Sequence, residues 1–221
     1  MALVQLFEVL NTPADKRSKY LNPSLAAFPY TNGGLFAEDI DIPQFTDELR
    51  DTLLQHASLD FDWSEISPTI FGGVFESTLN PETRRSGGMH YTSIENIHKV
   101  IDPLFYKDLR TAFEDCLEES NIKKRMQQLH ALQDKMAELY FFDPACGSGN
   151  FLTETYLSLR RLENEIIKQI YSVEQLNAFE NPIKVNIHQF YGIEINDFAV
   201  TVATTALWIS EAQMMAETEK I

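Results

Sequence analysis

The pattern of hydrophobic and polar positions predicts a strand–turn–helix unit near residue 145. Residues 139–142 form an apolar, aromatic run of the kind found in buried strands. A turn containing Gly147 and Gly149 follows, and from Asn150 apolar residues recur at helical spacing as far as residue 170. The N–H groups of such a turn and of a helix N-terminus can hold a ligand, and glycine lets the ligand come close to the backbone. The pattern therefore predicts a binding loop between the strand and the helix.

A second strand and helix follow the break at Asn181 and Pro182. Residues 188–195 have the pattern of another buried strand, and a helix is expected from Asp197 onward. The order strand–helix–strand–helix predicts a parallel sheet with a right-handed crossover. The candidates for the buried face of the last helix are Phe198, Val202, Thr205 and Trp208.

The chain before the first strand is predicted to be mainly helical. Residues 1–10 form an amphipathic pattern that ends near residues 11–13, and residues 46–57 and 61–79 are also expected to be helical. A capping box at residues 92–95 predicts a helix start there, and Pro103 is expected to break that helix. Residues 108–139 should form one or two helices with apolar stripes that include Leu109, Phe113 and Leu117.

Two carboxylates stand at the ends of the predicted strands. Asp143 closes the first strand and can accept a hydrogen bond from a cationic amine. Glu194 closes the second, where a carboxylate can accept both ribose hydroxyls of a nucleoside. The interval between the glycine turn and Glu194 exceeds the usual spacing of about 20 residues, so the crossover should carry a helical insertion. The alternatives are a glycine turn that binds nothing and an exposed, idle Glu194.

The glycine turn does not have the pattern of a dinucleotide or nucleoside-triphosphate site. In the dinucleotide fingerprint a third small residue follows the second glycine by three positions, and here that position is Leu152. A leucine would obstruct the close approach of helix and strand that the third glycine permits. No Gly-Lys-Ser/Thr sequence follows the turn, which argues against a P-loop.

The string Asp-Pro-Ala-Cys-Gly-Ser-Gly-Asn-Phe at residues 143–151 resembles the cofactor loop of S-adenosylmethionine-dependent DNA methyltransferases, above all the adenine-N6 group. Gly-Ile-Glu-Ile at residues 192–195 is similar to the second motif of the same family. The resemblance implies S-adenosylmethionine as the cofactor. It implies these cofactor-binding residues: Asp143, Pro144, Ala145, Cys146, Gly147, Gly149, Asn150, Phe151 and Glu194.

Two further segments resemble this group. Residues 88–93 look like the Tyr-Thr-Pro element that precedes the cofactor loop, which implies that Tyr91 and Thr92 fold over the methionine part of the cofactor. Ser93 stands where the family has proline, and proline would preset the entry of the chain into the helix. Residues 28–36 resemble the helical spacer of type IIG restriction-modification enzymes.

The predicted fold class is α/β: a partial Rossmann-like class I methyltransferase sheet, truncated after the second strand–helix unit, behind a mainly helical spacer. The expected domains are a spacer at residues 1–79 and the N-terminal half of a methyltransferase domain at residues 80–221. The catalytic Pro-Pro tetrapeptide of amino-methyltransferases is missing, since none of the nine prolines adjoins another. We therefore expect no catalytic residue here, and expect the chain to be an inactive fragment of a larger enzyme.

The net charge of −15 is unfavourable for a nucleic-acid-binding protein, so the chain alone should bind DNA poorly. DNA contacts are expected from a C-terminal portion of the parent enzyme. Two cysteines are too few for a disulfide framework or a zinc cluster, and no metal site is predicted. Cys146 is expected to be a packing residue rather than a nucleophile, because no histidine lies near it in sequence. No apolar run is long enough for a membrane span, and a cytoplasmic location is expected.

Two alternative functions remain open, and one expectation about assembly follows from the predicted fold. The same cofactor fold could methylate RNA or a protein glutamine, because fold does not determine substrate. The chain could also be a non-catalytic scaffold or assembly module that keeps the cofactor half. Finally, a truncated parallel sheet leaves a strand edge without a neighbour, so the chain is expected to self-associate through that edge.

Overall fold

The computed structural model describes residues 2–28, 30, 44–60, 66–70, 92–171 and 182–221. The chain divides into two compact units, residues 1–66 and residues 67–221. The predicted domain boundary between residues 79 and 80 lies outside the described residues, as does most of the helix predicted at 61–79. Within the described ranges no helix combines the length and the apolar character that a membrane span needs.

The first unit is helical where it is described. It contains α1 (Ala2–Leu10), a 3₁₀ turn at Ala14–Lys16, α2 (Pro23–Ala26) and α3 (Asp47–Leu54), which continues into a π-helical turn at Gln55–Leu59. The Arg17 guanidinium donates to the carbonyl oxygens of Val9, Thr12 and Phe28, at 2.8, 2.8 and 2.6 Å. The helices predicted at residues 1–10 and 46–57 are confirmed.

The second unit begins with a helical run that the predicted proline break does not interrupt. Helix α4 (Ile94–Ile101) passes through a π-helical turn (Asp102–Tyr106) into α5 (Lys107–Glu118), and α6 (Ile122–Ala137) follows. The α-helix ends at Ile101 and a new segment begins at Asp102, as predicted, but the chain stays helical through that segment instead of breaking. The wider π turn accommodates Pro103, which has no N–H to donate.

Two local details of these helices also differ from prediction. The residue that caps α4 is Ser93, whose hydroxyl accepts the Asn96 N–H at 3.4 Å, so the helix starts one residue later than the predicted capping box. In α5 the buried residues are Leu109, Phe113 and Cys116, whereas Leu117 is exposed. The buried face of α5 therefore contains Cys116 in place of Leu117, which the hydrophobic pattern had indicated.

The predicted parallel strand pair is confirmed. Strand β1 (Phe141–Asp143) is followed by α7 (Asn150–Ile170), and β2 (Phe190–Gly192) is followed by α8 (Asp197–Thr218). The strands are parallel, with Phe141 opposite Phe190 and Asp143 opposite Gly192. Both are shorter than predicted, and the 3₁₀ turn Ile187–Gln189 takes the start of the second run. Because the strands are parallel, their carboxyl ends lie at the same edge of the sheet.

The two faces of this sheet have different surroundings. On one face the rings of Phe141 and Phe190 stack with centroids 5.1 Å apart, and Tyr156 of α7 meets Phe190 edge-on at 5.5 Å. On the other, Tyr140, Phe142 and Tyr191 are 72%, 62% and 52% exposed among the described residues. The expectation of fully buried strands is therefore wrong for this face, which periodicity alone could not reveal.

Helix α8 packs through small residues rather than through the bulky positions that were predicted. Of the four candidates Val202 is buried, Thr205 and Trp208 are only partly so, and the Phe198 side chain lies outside the described residues. The other buried positions of this helix are Ala199, Ala203, Ala206, Ser210, Met214 and Thr218. Small side chains let α8 approach its neighbours closely, which matters for the glycine loop described below.

A buried ion pair fixes the segment that enters β2. Arg160 and Glu163 of α7 pair with each other, and both side chains are 0% exposed. Glu163 also accepts the side-chain amide of Gln133 at 2.9 Å and the backbone N–H groups of Lys184 and Val185 at 2.7 and 3.1 Å. One carboxylate therefore ties α6, α7 and residues 184–185 together.

Candidate cofactor-binding site

The turn predicted between the first strand and its helix is present and tight. β1 ends at Asp143, and the Gly149 N–H donates to the Cys146 carbonyl oxygen at 2.8 Å. Gly147 and Gly149 have φ angles of +54° and +78°, in the left-handed region that side chains disfavour. Gly149 then caps α7, and its carbonyl oxygen accepts the Thr153 N–H at 2.8 Å.

The two glycines are required for different reasons. A Cβ at Gly149 would lie 2.7 Å from the Cβ and 3.0 Å from the Cα of Ala203, so glycine is needed there for α8 to pack against the loop. Among the described residues, a Cβ at Gly147 would meet no atom within 4 Å. The backbone is therefore open to an approaching ligand at Gly147, whereas at Gly149 the space is taken by the protein itself.

The loop is joined to the end of β2. The Ile193 N–H donates to the Asp143 carbonyl oxygen, and the Cys146 N–H donates to the Ile193 carbonyl oxygen, both at 3.0 Å. A Cβ at Gly192 would lie 2.6 Å from the Cys146 sulfur, so this thiol packs directly on the strand. Burial, with the charges of Asp143 and Glu194, raises the pKa of the Cys146 thiol. A thiol held protonated is a poor nucleophile, which favours the packing role.

Both predicted carboxylates meet this loop. Asp143 Oδ1 accepts the Ala145 N–H at 3.0 Å. Glu194 Oε2 accepts the Gly147 N–H at 3.0 Å, and its Oε1 accepts the N–H groups of Ile195 and Asn196 at 2.8 and 2.9 Å. Residues 47 positions apart in sequence are thus in direct contact, and Glu194 is engaged by the backbone rather than idle.

A groove of about 600 Å³ runs from the start of the loop along the first strand. Its walls are mostly apolar and include Ile101, Phe105 and Phe141. Of the predicted cofactor residues, Asp143, Pro144 and Phe151 line it. The groove therefore joins the glycine loop to the α4 segment, with a carboxylate at the loop end.

The other predicted residues that the structure describes do not line this groove. Gly149 and Asn150 are buried beneath the loop, whereas Ala145 is exposed on it. Thr92 is half-buried just before α4 and is not in the groove wall, and Tyr91 lies outside the described residues. The structure thus brings together the loop residues and Glu194.

One contact that sequence reasoning missed links α4 to α7. His98 Nδ1 lies 2.8 Å from Asp102 Oδ1, and its Nε2 lies 3.2 Å from Glu154 Oε1. The Glu154 side chain is only 3% exposed, and Arg161 Nη1 approaches it at 3.8 Å. The spacing of His98 and Asp102 on a helix could have indicated their pair, but no sequence signal joins His98 to Glu154. This histidine holds the α4 wall of the groove against the first turns of α7.

The free energy of unfolding should depend on pH through His98. Partial burial by itself lowers the pKa of this imidazole, but the hydrogen bonds and charges of Asp102 and Glu154 outweigh burial and raise the pKa above its ordinary value of 6.5. The stabilisation is therefore fully present below pH 6.5 and is lost as the pH rises through the elevated pKa. We expect His98→Gln to destabilise the protein more at pH 6 than at pH 8.5, as measured by urea unfolding.

The control is His56→Gln, because His56 contacts Asp60 at 3.0 Å but is largely exposed in the first unit. It should show little pH-dependent loss. A cost of His98→Gln that is equal at both pH values would contradict the imidazolium bridge.

Comparison with known proteins gives a consistent result. Residues 118–221 match the family described as MmeI, DNA-methyltransferase domain. The chain is 42% identical over 216 residues to DNA methyltransferase A of Bacillus subtilis (strain 168), covering 97% of this chain and 24% of that protein. It is 26% identical over 243 residues to a putative type II restriction enzyme and methyltransferase of Methanocaldococcus jannaschii, covering 92% of this chain and 20% of that protein.

A solved structure is also similar. It is the type IIL restriction-modification enzyme MmeI in complex with DNA, with a TM-score of 0.79 and 44% sequence identity. The match covers 99% of this chain and 28% of the MmeI chain. The chain thus spans about a quarter of the length of the proteins it resembles.

Proposed function

Since the chain is related by sequence and by structure to the DNA methyltransferases of restriction-modification systems, we propose that it forms the S-adenosylmethionine-binding part of such an enzyme. The observation that carries the proposal is the convergence of Asp143, Gly147 and Glu194 at the carboxyl ends of two parallel strands. Ligands of open α/β sheets bind outside the carboxyl ends of the strands. We assign residues 1–79 to a spacer and residues 80–221 to the N-terminal half of a Rossmann-like methyltransferase domain.

The residues present fit this cofactor. The Asp143 carboxylate, at the loop end of the groove, can accept a hydrogen bond from the amino group of the methionine part, and Glu194 can accept from ribose. The open backbone at Gly147 leaves room for the ligand. When bound, the cofactor supplies an activated methyl group. The chain's own residues bind and orient it, and we include Tyr91, Thr92, Pro144, Ala145, Cys146, Gly149, Asn150 and Phe151 among the candidate binding residues.

The proposed acceptor of the whole enzyme is the N6 amino group of adenine in DNA. The support is the resemblance of residues 143–151 to the adenine-N6 group and the DNA-bound MmeI structure. The 221 residues contain no Pro-Pro pair and carry a net charge of −15. We therefore propose that this chain alone neither binds DNA tightly nor transfers methyl groups. We also propose that the protein is located in the cytoplasm.

Calorimetric titration with S-adenosylmethionine tests the cofactor site. We expect binding by the wild-type chain and an affinity at least tenfold lower in Asp143→Ala and in Glu194→Ala, because a hydrogen bond to a charged group contributes about 1.5–3 kcal/mol. The control is Asp108→Ala, which removes an exposed carboxylate from α5. With labelled cofactor and unmethylated DNA, the wild-type chain should give no methyl transfer. A folded wild-type chain that does not bind the cofactor would contradict the proposal.

The acidic charge favours a second candidate, a non-catalytic scaffold or assembly module that keeps the cofactor fold. In that case the loop would be a relic, and binding of S-adenosylmethionine would be absent in a folded chain. A substrate of RNA or protein would instead leave cofactor binding intact, and assays with those acceptors would distinguish it from DNA.

We further propose that the chain self-associates through the exposed edge of its sheet. In the described residues β1 pairs with β2 alone, and Tyr140, Phe142 and Tyr191 expose a contiguous aromatic surface on one face. Light scattering should give a mass above 25.3 kDa that falls toward the monomer value in Tyr191→Lys. A clean wild-type monomer at high concentration would refute this proposal.

A further inference from the structure

The carboxylate of Glu194 has little capacity left for a ligand. An ionised carboxylate offers about four acceptor positions on its two oxygens. Oε1 already accepts two N–H groups, from Ile195 and Asn196, and Oε2 accepts one, from Gly147. The first two donors belong to the turn that follows Glu194 itself. The third comes from the glycine loop and is the side chain's long-range contact.

We propose that Glu194 is the positioning residue of the glycine loop. Through Oε2 it holds Gly147 in its left-handed conformation before any ligand arrives, and a nucleoside that takes both carboxylate oxygens does so by displacing at least one of the three N–H groups that the carboxylate accepts. The displacement of an N–H by the nucleoside rests on the proposed function. The holding of Gly147 by Glu194 concerns the chain alone and does not depend on the identity of the ligand.

The surrounding contacts support a holding role. Gly147 has no side chain through which packing could fix it, and a Cβ there would meet none of the described residues within 4 Å. The neighbouring Cys146 N–H is held by the Ile193 carbonyl oxygen at 3.0 Å, so two consecutive amides of the loop are anchored to the exit of β2. The Glu194 bond is charge-assisted and is therefore the stronger of the two.

The same contacts limit how a ribose could bind to the Glu194 carboxylate. A cis-diol that binds a carboxylate through both oxygens needs one acceptor position on each oxygen. Only Oε2 has a position that no described N–H occupies. A ligand hydroxyl on Oε1 must therefore displace a local N–H or rotate the carboxylate, and rotation breaks the bond to Gly147. Cofactor entry is thus expected to release at least one of the N–H groups of Ile195, Asn196 and Gly147 from the carboxylate.

The test is amide hydrogen exchange of the ligand-free 221-residue chain, resolved at single residues by NMR. In Glu194→Gln the remaining oxygen can still accept from Ile195 and Asn196, but the side-chain NH₂ then faces the Gly147 N–H. We expect exchange at Gly147 to be faster by about tenfold or more, which is the loss of one hydrogen bond to a charged group. Exchange at Asn196 should change by less than about threefold, because its acceptor remains.

The matched control is Glu119→Gln, because Glu119 accepts the Asn121 N–H at 2.9 Å in the turn before α6. This control should leave Gly147 unchanged. Exchange at Gly147 that is the same in Glu194→Gln as in wild type overturns the proposal. If Glu194→Gln does not fold, the wild-type chain is measured by NMR instead. A scalar coupling across the hydrogen bond between Gly147 N and Glu194 Cδ is then expected, and its absence overturns the proposal.

The positioning role of Glu194 can be tested separately from cofactor binding. Addition of S-adenosylhomocysteine to the wild-type chain should accelerate exchange at Ile195 or Asn196, or alter the Gly147 coupling, if the ribose takes both oxygens. Failure to bind this ligand, with Gly147 still dependent on Glu194, would contradict the proposed function and leave the positioning role intact. Binding without any change at these three amides would overturn the displacement.

Discussion

Replacing Glu163 by alanine should lower the free energy of unfolding by about 3–5 kcal/mol, which is typical of removing one partner of a buried ion pair. Arg160 would remain as a fully buried charge without its carboxylate. The N–H groups of Lys184 and Val185 would lose their acceptor at the same time, and the Gln133 amide would keep only the Pro182 carbonyl oxygen. The loss should be large because no water can replace these contacts without opening the interior.

Urea unfolding followed by circular dichroism measures this loss. The control is Asp134→Ala, which removes the partially exposed carboxylate that contacts the Lys184 ammonium group. Its cost should be below about 1 kcal/mol, as for surface ion pairs. Equal effects of the two substitutions would show that the buried carboxylate does not hold the segment that enters β2.

Replacing Gly149 by alanine should have the second largest effect, a loss of about 2–5 kcal/mol. The left-handed backbone costs a non-glycine residue about 1–2 kcal/mol, and overpacking of a close contact costs about 1–3 kcal/mol more. The φ angle is +78°, and the new Cβ would lie 2.7 Å from the Cβ of Ala203. Because both atoms are fixed directly to the backbone, α8 has to move away from the loop.

Gly147→Ala is the matched control for this clash. Its φ is +54°, and its Cβ would meet nothing within 4 Å in the part of the chain that the structure describes, so only the backbone cost of about 1–2 kcal/mol is expected. Gly147→Ala should weaken cofactor binding more than it lowers the free energy of unfolding, because its Cβ would occupy the open side of the loop. Thermal unfolding and calorimetric titration of both variants separate packing from ligand access. A loss of stability as large in Gly147→Ala as in Gly149→Ala would contradict this division.

The predictable part of the fold lies where the signal is local. The apolar run before Asp143, the glycines after it and the helical spacing from Asn150 are properties of neighbouring residues, and they predicted the strand, the turn and α7. The strand–helix order then predicted the parallel pairing of β1 with β2, because a crossover through a helix returns the chain in the same direction.

The predictions from the sequence differ from the structure where the local fold depends on a distant residue or on a small change in helix geometry. Pro103 was expected to end a helix, but a π turn carries the chain past it into α5. The cap of α4 is one residue later than predicted, and Cys116 takes the buried position expected for Leu117. A shift of one residue rotates a helix position by about 100°, so periodicity places such boundaries only approximately.

The sequence by itself determined the strand–turn–helix unit, the glycine turn and the resemblance to a methyltransferase cofactor loop, because these depend on residues close together in the chain. Only the tertiary structure decided that Glu194 holds Gly147, that Gly149 is required by Ala203, and that His98 joins Glu154. These pairs are 47, 54 and 56 positions apart, and no local pattern encodes them. They arise when the parallel strands bring their carboxyl ends to one edge and when the small residues of α8 and the imidazole of α4 pack against α7.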